Sequence, residues 1–250
     1  MSELCGLSYS PWTQKARWAL EHHRISFRYV EHMPMLGEAR LRWKLQRPTG
    51  RVTVPILVTR HGTLMDSLVI AEFAERVGKG TPLFPEGKRS EIGAWNDASE
   101  RALAAGRGLV VARTARSERA KAEALPSFVP GLLRPAMTGV ASAGIAFFRW
   151  KYGLDGAGED QRRAAIADEL RGLRGALGGR PYLLDGFSYA DITMSMVLQL
   201  VRPASDEHWK LRPATREVWR DPTLESEFGD LAEWRDGLFA KHRQLPITSS

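Results

Sequence analysis

Apolar positions along the first eighty residues switch between two periods. Residues 3–7 form a short apolar run that reads as a buried strand. From Pro11 to about His23, Trp12, Ala16, Ala19 and Leu20 fall on one face of a helix. Residues 26–30 alternate as a strand does. The mixed stretch from Met35 to Arg47 reads as a helix with Leu36, Ala39 and Trp43 inward. After the break at "PTGR", the runs "VPILV" and "GTLM" read as two strands joined around His61-Gly62. From Ser67 onward, Ile70, Phe73, Ala74 and Val77 mark another helix. The order β-α-β-α-β-β-α allows a parallel crossover first and a hairpin after it.

The pattern then changes. The stretch "GKGTPLFPEGKR", residues 78–89, is rich in Gly and Pro and reads as a linker. Beyond it the chain predicts helices over 89–116, 127–152, 159–178, 188–201 and 223–242, with no clear strand. Phe228, Leu231, Trp234 and Leu238 form one stripe on the last of these. Residues 202–222 hold three prolines and read either as a mobile cover or as a long loop. The expected fold class is α/β followed by all-α: a unit over 1–78, a linker over 79–88, and a helical unit over 89–250.

Composition narrows the classes. The chain has 250 residues, 43% hydrophobic and 26% charged, with 8 Trp. These values suit a globular protein with aromatic packing or an aromatic-lined pocket. The net charge of +7 comes from basic residues interspersed with acids, which argues against a nucleic-acid or membrane surface. A solvated basic surface, and after it attraction of small anions, are the readings left. The single Cys5 excludes an internal disulfide and reads as a small core hydrophobe, consistent with a reducing cytoplasmic setting. The start "MSELCGLSYS" has no signal-peptide pattern, and no apolar run reaches bilayer length. The six His show no metal-ligand spacing, so no metal is expected.

Three motifs carry candidate chemistry. In "SPWTQKAR", Pro11 suits the first helical position and Ser10 suits the cap, accepting from the N–H of Trp12 or Thr13. A hydroxyl has acceptor and donor capacity together, so Ser10 could also donate outward to a group held at the positive helix end. A thiolate gains from that setting. In "TVPILV", a cis bond between Val54 and Pro55 would leave the Val54 backbone free to pair with an extended ligand. In "MDSLVIAEF", Asp66 or Ser67 caps a helix, and the same helix start suits a carboxylate at Ser67 with an ammonium at Asp66. Separately, Ser188-Tyr189-Ala190-Asp191 forms a capping box with Phe187 and Ile192 as its staple, a folding signal.

In this order and spacing, "SPWTQKARWAL", "VTVPIL", "DSLVIAEFAE" and "YLLDGFSYADI" resemble the glutathione transferase superfamily, and the likeness covers nearly the whole chain. The resemblance implies a thioredoxin-like N-terminal domain followed by a helical-bundle C-terminal domain. It implies glutathione as co-substrate, thiolate attack on a small electrophile, and a homodimer. Ser10 takes the catalytic place of the serine branch, with Tyr9 the second candidate. Val54, followed by Pro55, would pair with the cysteinyl backbone; Asp66 and Ser67 would hold the γ-glutamyl end. Arg51 or Lys15 would meet the glycine carboxylate. The second substrate would lie between domains, with Trp95, Arg101, Phe147, Trp150 and Trp209 as candidate linings. Asp66 stands where Glu is usual, and Arg47-Pro48 where Asn-Pro is frequent. The alternatives are another glutathione-dependent outcome (isomerase, lyase or dehalogenase) and a non-catalytic binding protein of this fold.

Overall fold

The computed structural model describes residues 1–33, 37–125, 130, 132, 137–154 and 156–243. Strand β1 (Ser2–Gly6) leads into α1 (Pro11–His22) and then β2 (Phe27–Glu31), which pairs parallel with β1. After α2 (Glu38–Leu45), β3 (Ile56–Thr59) runs antiparallel to β1, and β4 (Gly62–Met65) antiparallel to β3. The sheet order is β2-β1-β3-β4, and α3 (Ser67–Val77) closes the unit. This is the thioredoxin-like arrangement.

Period-two alternation builds its two faces. Leu4 and Leu57 face the core formed with Ala16, Trp18 and Ile70 from α1 and α3. Their neighbours Cys5 and Ile56 face the other way, against Leu41 of α2 and Val52. The expected helix over 35–47 is the shorter α2, and the inward placement of Leu36 lies outside the described residues. Ala39 and Trp43 are exposed, contrary to the inward expectation. With only Leu41 buried, α2 has a narrow apolar face.

The second unit is helical: α4 (Arg89–Arg116), α5 (Glu118–Ala124), α6 (Thr138–Tyr152), α7 (Glu159–Leu177), α8 (Tyr189–Val197), α9 (Pro213–Trp219) and α10 (Pro222–His242). A short 3-10 turn, Leu198–Leu200, extends α8. The capping box forms as expected: the Ser188 N–H donates to Asp191 at 2.8 Å, and the Leu183 N–H donates to the same carboxylate at 2.8 Å. Helix α8 is buried all round, as its sequence requires.

Three elements depart from the sequence reading, the first being α5, which falls in the gap between the helices expected over 89–116 and 127–152. The reading over 127–152 yields α6 at its end; residues 126–129, 131 and 133–136 lie outside the described set. Residues 202–222 hold α9, because Pro213 sits at the first helical position, where its missing N–H costs nothing. Pro222 likewise starts α10, with the Asp221 carboxylate accepting from Thr223 and Leu224 N–H. Prolines here begin helices rather than break them.

One apolar core runs through both units. Trp18 on the rear of α1 is fully buried against Phe187, at 5.6 Å between ring centroids, and Phe239 of α10, at 5.0 Å. Burying such a ring is worth about 2–3 kcal/mol, so the two units hold each other firmly. Among the described residues no helix is long and apolar enough to cross a membrane.

Candidate active site

The site begins at the turn after β1. The Ser10 N–H donates to the Leu7 carbonyl at 2.9 Å, and the Leu7 N–H donates to Thr13 Oγ1 at 3.2 Å. Gly6 lies so close to the Thr13 side chain that a Cβ there would collide with it. These contacts press the turn onto the first turn of α1. Ser10 is the residue before the helix, with φ −86° and ψ 125°, and its carbonyl accepts from Gln14 at 3.0 Å.

The Ser10 hydroxyl makes no capping bond. This corrects the expectation that it accepts from Trp12 or Thr13. Those two N–H groups therefore remain without a side-chain acceptor at the positive end of α1, and the hydroxyl, though only 9% exposed in its residue, stays available. An uncapped hydroxyl at the open start of a helix is a setting that favours an anion.

A cleft opens there between the units. Tyr9, Ser10, Trp12 and Val54 line it from the first unit; Arg107 of α4 and Tyr152 of α6 line it from the second. The Val54-Pro55 bond is cis, and among the described residues the Val54 backbone makes no hydrogen bond. Behind it, the Pro55 carbonyl accepts from the Asp66 N–H at 3.4 Å. Desolvation, aided by the charge of Glu31, pushes the Tyr9 phenol up, so it stays a donor at neutral pH.

The remaining candidates sit elsewhere. Asp66 has φ 94° and caps α3, its Oδ1 accepting from Leu68 at 2.8 Å and Val69 at 3.3 Å. Ser67 is buried, and its hydroxyl lies near that of Tyr189 without closing a bond of good geometry. Neither lines the cleft itself; both stand at the second helix start. Arg51 reaches the cleft edge, its guanidinium 4.7 Å from the Tyr152 ring centroid.

Lys15 is fully buried between α1 and α4, and its ammonium donates to Ser99 Oγ at 2.6 Å and Glu100 Oε1 at 2.9 Å. Engaged there, it is not free for a glycine carboxylate. The five expected linings also fall outside the cleft. Trp209 is core, Trp150 is solvent-exposed, Arg101 pairs with Glu169 at 2.6 Å, and Trp95 and Phe147 pack elsewhere.

Sequence reasoning missed Arg107. Its guanidinium lies 4.1 Å from the Trp12 ring centroid and 3.9 Å from that of Tyr152. The signal was a lone arginine between Gly106 and Gly108, in an otherwise apolar run ending Leu109-Val110-Val111. Among the described residues no cluster of three His, Cys, Asp or Glu side chains could hold a metal.

Residues 9–77 match the family described as glutathione S-transferase, N-terminal domain. The chain has the glutathione transferase fold, and its first unit belongs to that family. The transferase fold extends over the whole length. A glutathione S-transferase from Methylobacillus flagellatus, solved with glutathione bound, is 16% identical, covering 96% of this chain and 95% of that one at TM-score 0.61. Glutathione transferase GSTFuA3 from Phanerochaete chrysosporium is 17% identical, covering 98% of each chain at TM-score 0.66. The β-etherase LigF from Sphingobium is 21% identical, covering 87% of this chain and 98% of that one at TM-score 0.56. No curated protein sequence matches the chain.

Proposed function

We propose that the chain is a glutathione transferase that binds glutathione at the start of α1 and directs its thiolate at a small electrophile. The observation that carries this reading is the Ser10 hydroxyl, uncapped and beside two unsatisfied helix N–H groups in an interdomain cleft. Donors of this kind stabilise a thiolate and bring a thiol pKa toward neutrality. The unpaired Val54 backbone, next to cis Pro55, supports pairing with the cysteinyl unit of the tripeptide. Asp66 and Ser67 stand at the start of α3, where Asp66 Oδ1 already caps the helix, and the reading assigns the γ-glutamyl group to this end through the Asp66 carboxylate and the Ser67 hydroxyl. With Lys15 engaged by Ser99 and Glu100, Arg51 is the one of the two expected cations that stays assigned to the glycine carboxylate.

In the reaction, Ser10 donates to the sulfur and Tyr9 stays protonated as a second donor at the mouth. The sulfur forms a bond to the electrophilic carbon, the leaving group departs with its electron pair, and the thiol proton passes to solvent. The neighbours solved with bound glutathione support the co-substrate. By the same reading the protein is cytoplasmic and works as a homodimer.

A second reading keeps the thiolate and changes the outcome to an isomerase, lyase or dehalogenase. The likeness to a β-etherase favours it, because the same attack on carbon can expel an alkoxide or phenoxide.

Titration with glutathione, followed by thiolate absorption in the ultraviolet, tests the shared step. Binding with a thiolate signal at neutral pH is expected. Binding without that signal would identify a passive binder, and no binding would remove both enzymatic readings. Turnover of aryl halides, enones, halocarbons and aryl ethers then separates transferase from the rest.

A further inference from the structure

The Arg107 guanidinium lies between two aromatic rings, Trp12 at 4.1 Å and Tyr152 at 3.9 Å. Contact with both rings restrains the guanidinium and leaves its N–H groups as its polar surface. Among the described residues those groups meet no acceptor and no carboxylate.

The nearest acid is already engaged. Glu100 accepts from Trp12 Nε1 at 2.6 Å and from Lys15 at 2.9 Å. Burial pushes the Arg107 guanidinium below its ordinary range and Arg51 adds to this, while the charge of Glu100 opposes it without a hydrogen bond. Two cations thus share the Tyr152 ring, at 3.9 Å and 4.7 Å, with no counter-ion between them. A desolvated cation without a partner is costly, and an arriving anion removes that cost. From the second unit the rest of the wall is apolar: Leu103, Val110, Val111, Phe148, Leu200 and Trp219.

We propose that the second substrate of this cleft is a carboxylate-bearing electrophile with a flat apolar body, its anion held by the edge of Arg107 and its body against the apolar wall. The identity of that molecule as the electrophile rests on the transferase reading above; the anion site itself does not. Arg107 binds by a planar fork, which suits a carboxylate in two-point contact. The flat body follows from a wall of aliphatic side chains with the rings of Phe148 and Trp219, which rewards shape and area rather than polar groups.

Calorimetric titration with 2-naphthoate and 2-naphthamide tests this without turnover. The pair shares a ring system and differs in charge. A charge-assisted hydrogen bond of about 1.5–3 kcal/mol predicts that naphthoate binds about tenfold or more tightly than the amide. Arg107→Gln should bring the two within about twofold while leaving naphthamide affinity unchanged, which also shows that the variant is folded. Arg107→Lys should keep part of the preference, since the charge remains but the fork is lost. Equal affinities in the native protein would overturn the proposal, as would equal weakening of both ligands by Arg107→Gln. Saturating S-methylglutathione should leave the preference intact. Competitive displacement of naphthoate by it would assign Arg107 to the tripeptide and overturn the proposal. If S-methylglutathione fails to bind while the naphthoate preference holds, the anion site stands and the glutathione reading falls.

Discussion

Lys15 of α1 and Glu100 of α4 meet across the two units at 2.9 Å, with the lysine fully buried and the glutamate side chain 38% exposed. Trp12, on the same helix as Lys15, donates its indole N–H to the other oxygen of Glu100 at 2.6 Å. Helix α1 is thereby fastened to the helix that carries Arg107. The pair fixes the width of the cleft rather than contributing to its chemistry.

Lys15→Met should therefore destabilise the protein by about 1–3 kcal/mol, because Glu100 loses its counter-ion while Trp12 still holds it in place. Burial lowers the Lys15 pKa despite Glu100, so the ammonium is costly where it sits. Adding Glu100→Gln should restore most of the loss. Urea unfolding of the single and double variants measures the coupling, and strictly additive losses would show that the pair does not act as a unit.

Ser10→Ala removes the hydroxyl without disturbing a cap, because none is made. A bond to a charged sulfur of about 1.5–3 kcal/mol predicts that the bound thiol pKa rises by about 1–2, read from thiolate absorbance against pH. Turnover should slow in step, while thermal stability stays within about 0.5 kcal/mol. Unchanged kinetics would transfer the donor role to Tyr9 or to the Trp12 and Thr13 N–H groups.

Asp221 joins three parts of the helical unit. It caps α10 and accepts from Arg113 at 2.5 Å and Arg163 at 3.0 Å. Burial works against its ionisation, but Arg113, the Leu224 N–H and Arg163 outweigh it and hold the carboxyl below the usual range. The folded state thus binds this proton more weakly than the unfolded chain does. The resulting stability is complete above about pH 4 and is lost as pH falls through the lower folded value. Asp221→Asn keeps a capping oxygen but loses the charge, at a cost of about 3 kcal/mol at neutral pH. Below about pH 4 the native protein should lose stability more steeply than this variant; parallel pH profiles would disprove the assignment.

Two glycines of α4 predict opposite outcomes. At Gly106 a Cβ would run into the Leu200 side chain, whereas at Gly93 it would meet nothing within 4 Å. Gly93→Ala should stabilise by about 0.5–1 kcal/mol through backbone entropy. Gly106→Ala should lose about 1–3 kcal/mol to overpacking and shift the neighbouring Arg107, weakening naphthoate binding. Denaturation midpoints of the two variants compare them directly. Stabilisation by both would show that α4 and the 3-10 turn separate more easily than their packing indicates.

Most of the architecture was legible along the chain because its signals are local. Period-two alternation in "VPILV", the box Ser188–Asp191 and the Ser10-Pro11 start each concern residues within one turn or one strand. So does the position of Ser10 ahead of a helix. The short α9 was hidden because Pro213 has two opposite meanings, and only the path of the chain shows which applies. The distant contributors to the cleft were not legible either. Trp95, Arg101, Phe147, Trp150 and Trp209 looked suitable by residue type, yet none lines it.

By itself, then, the order of residues determined an α/β unit followed by helices, and a helix start at Ser10-Pro11. These depend on backbone propensities and on neighbours a few positions away. Tertiary structure decided that Lys15 faces the interface, that Ser10 makes no cap, and that Arg107 sits between Trp12 and Tyr152. Such facts depend on the rotation and spacing of helices about a shared core, where residues nearly a hundred positions apart are brought within contact, and no local pattern encodes that distance.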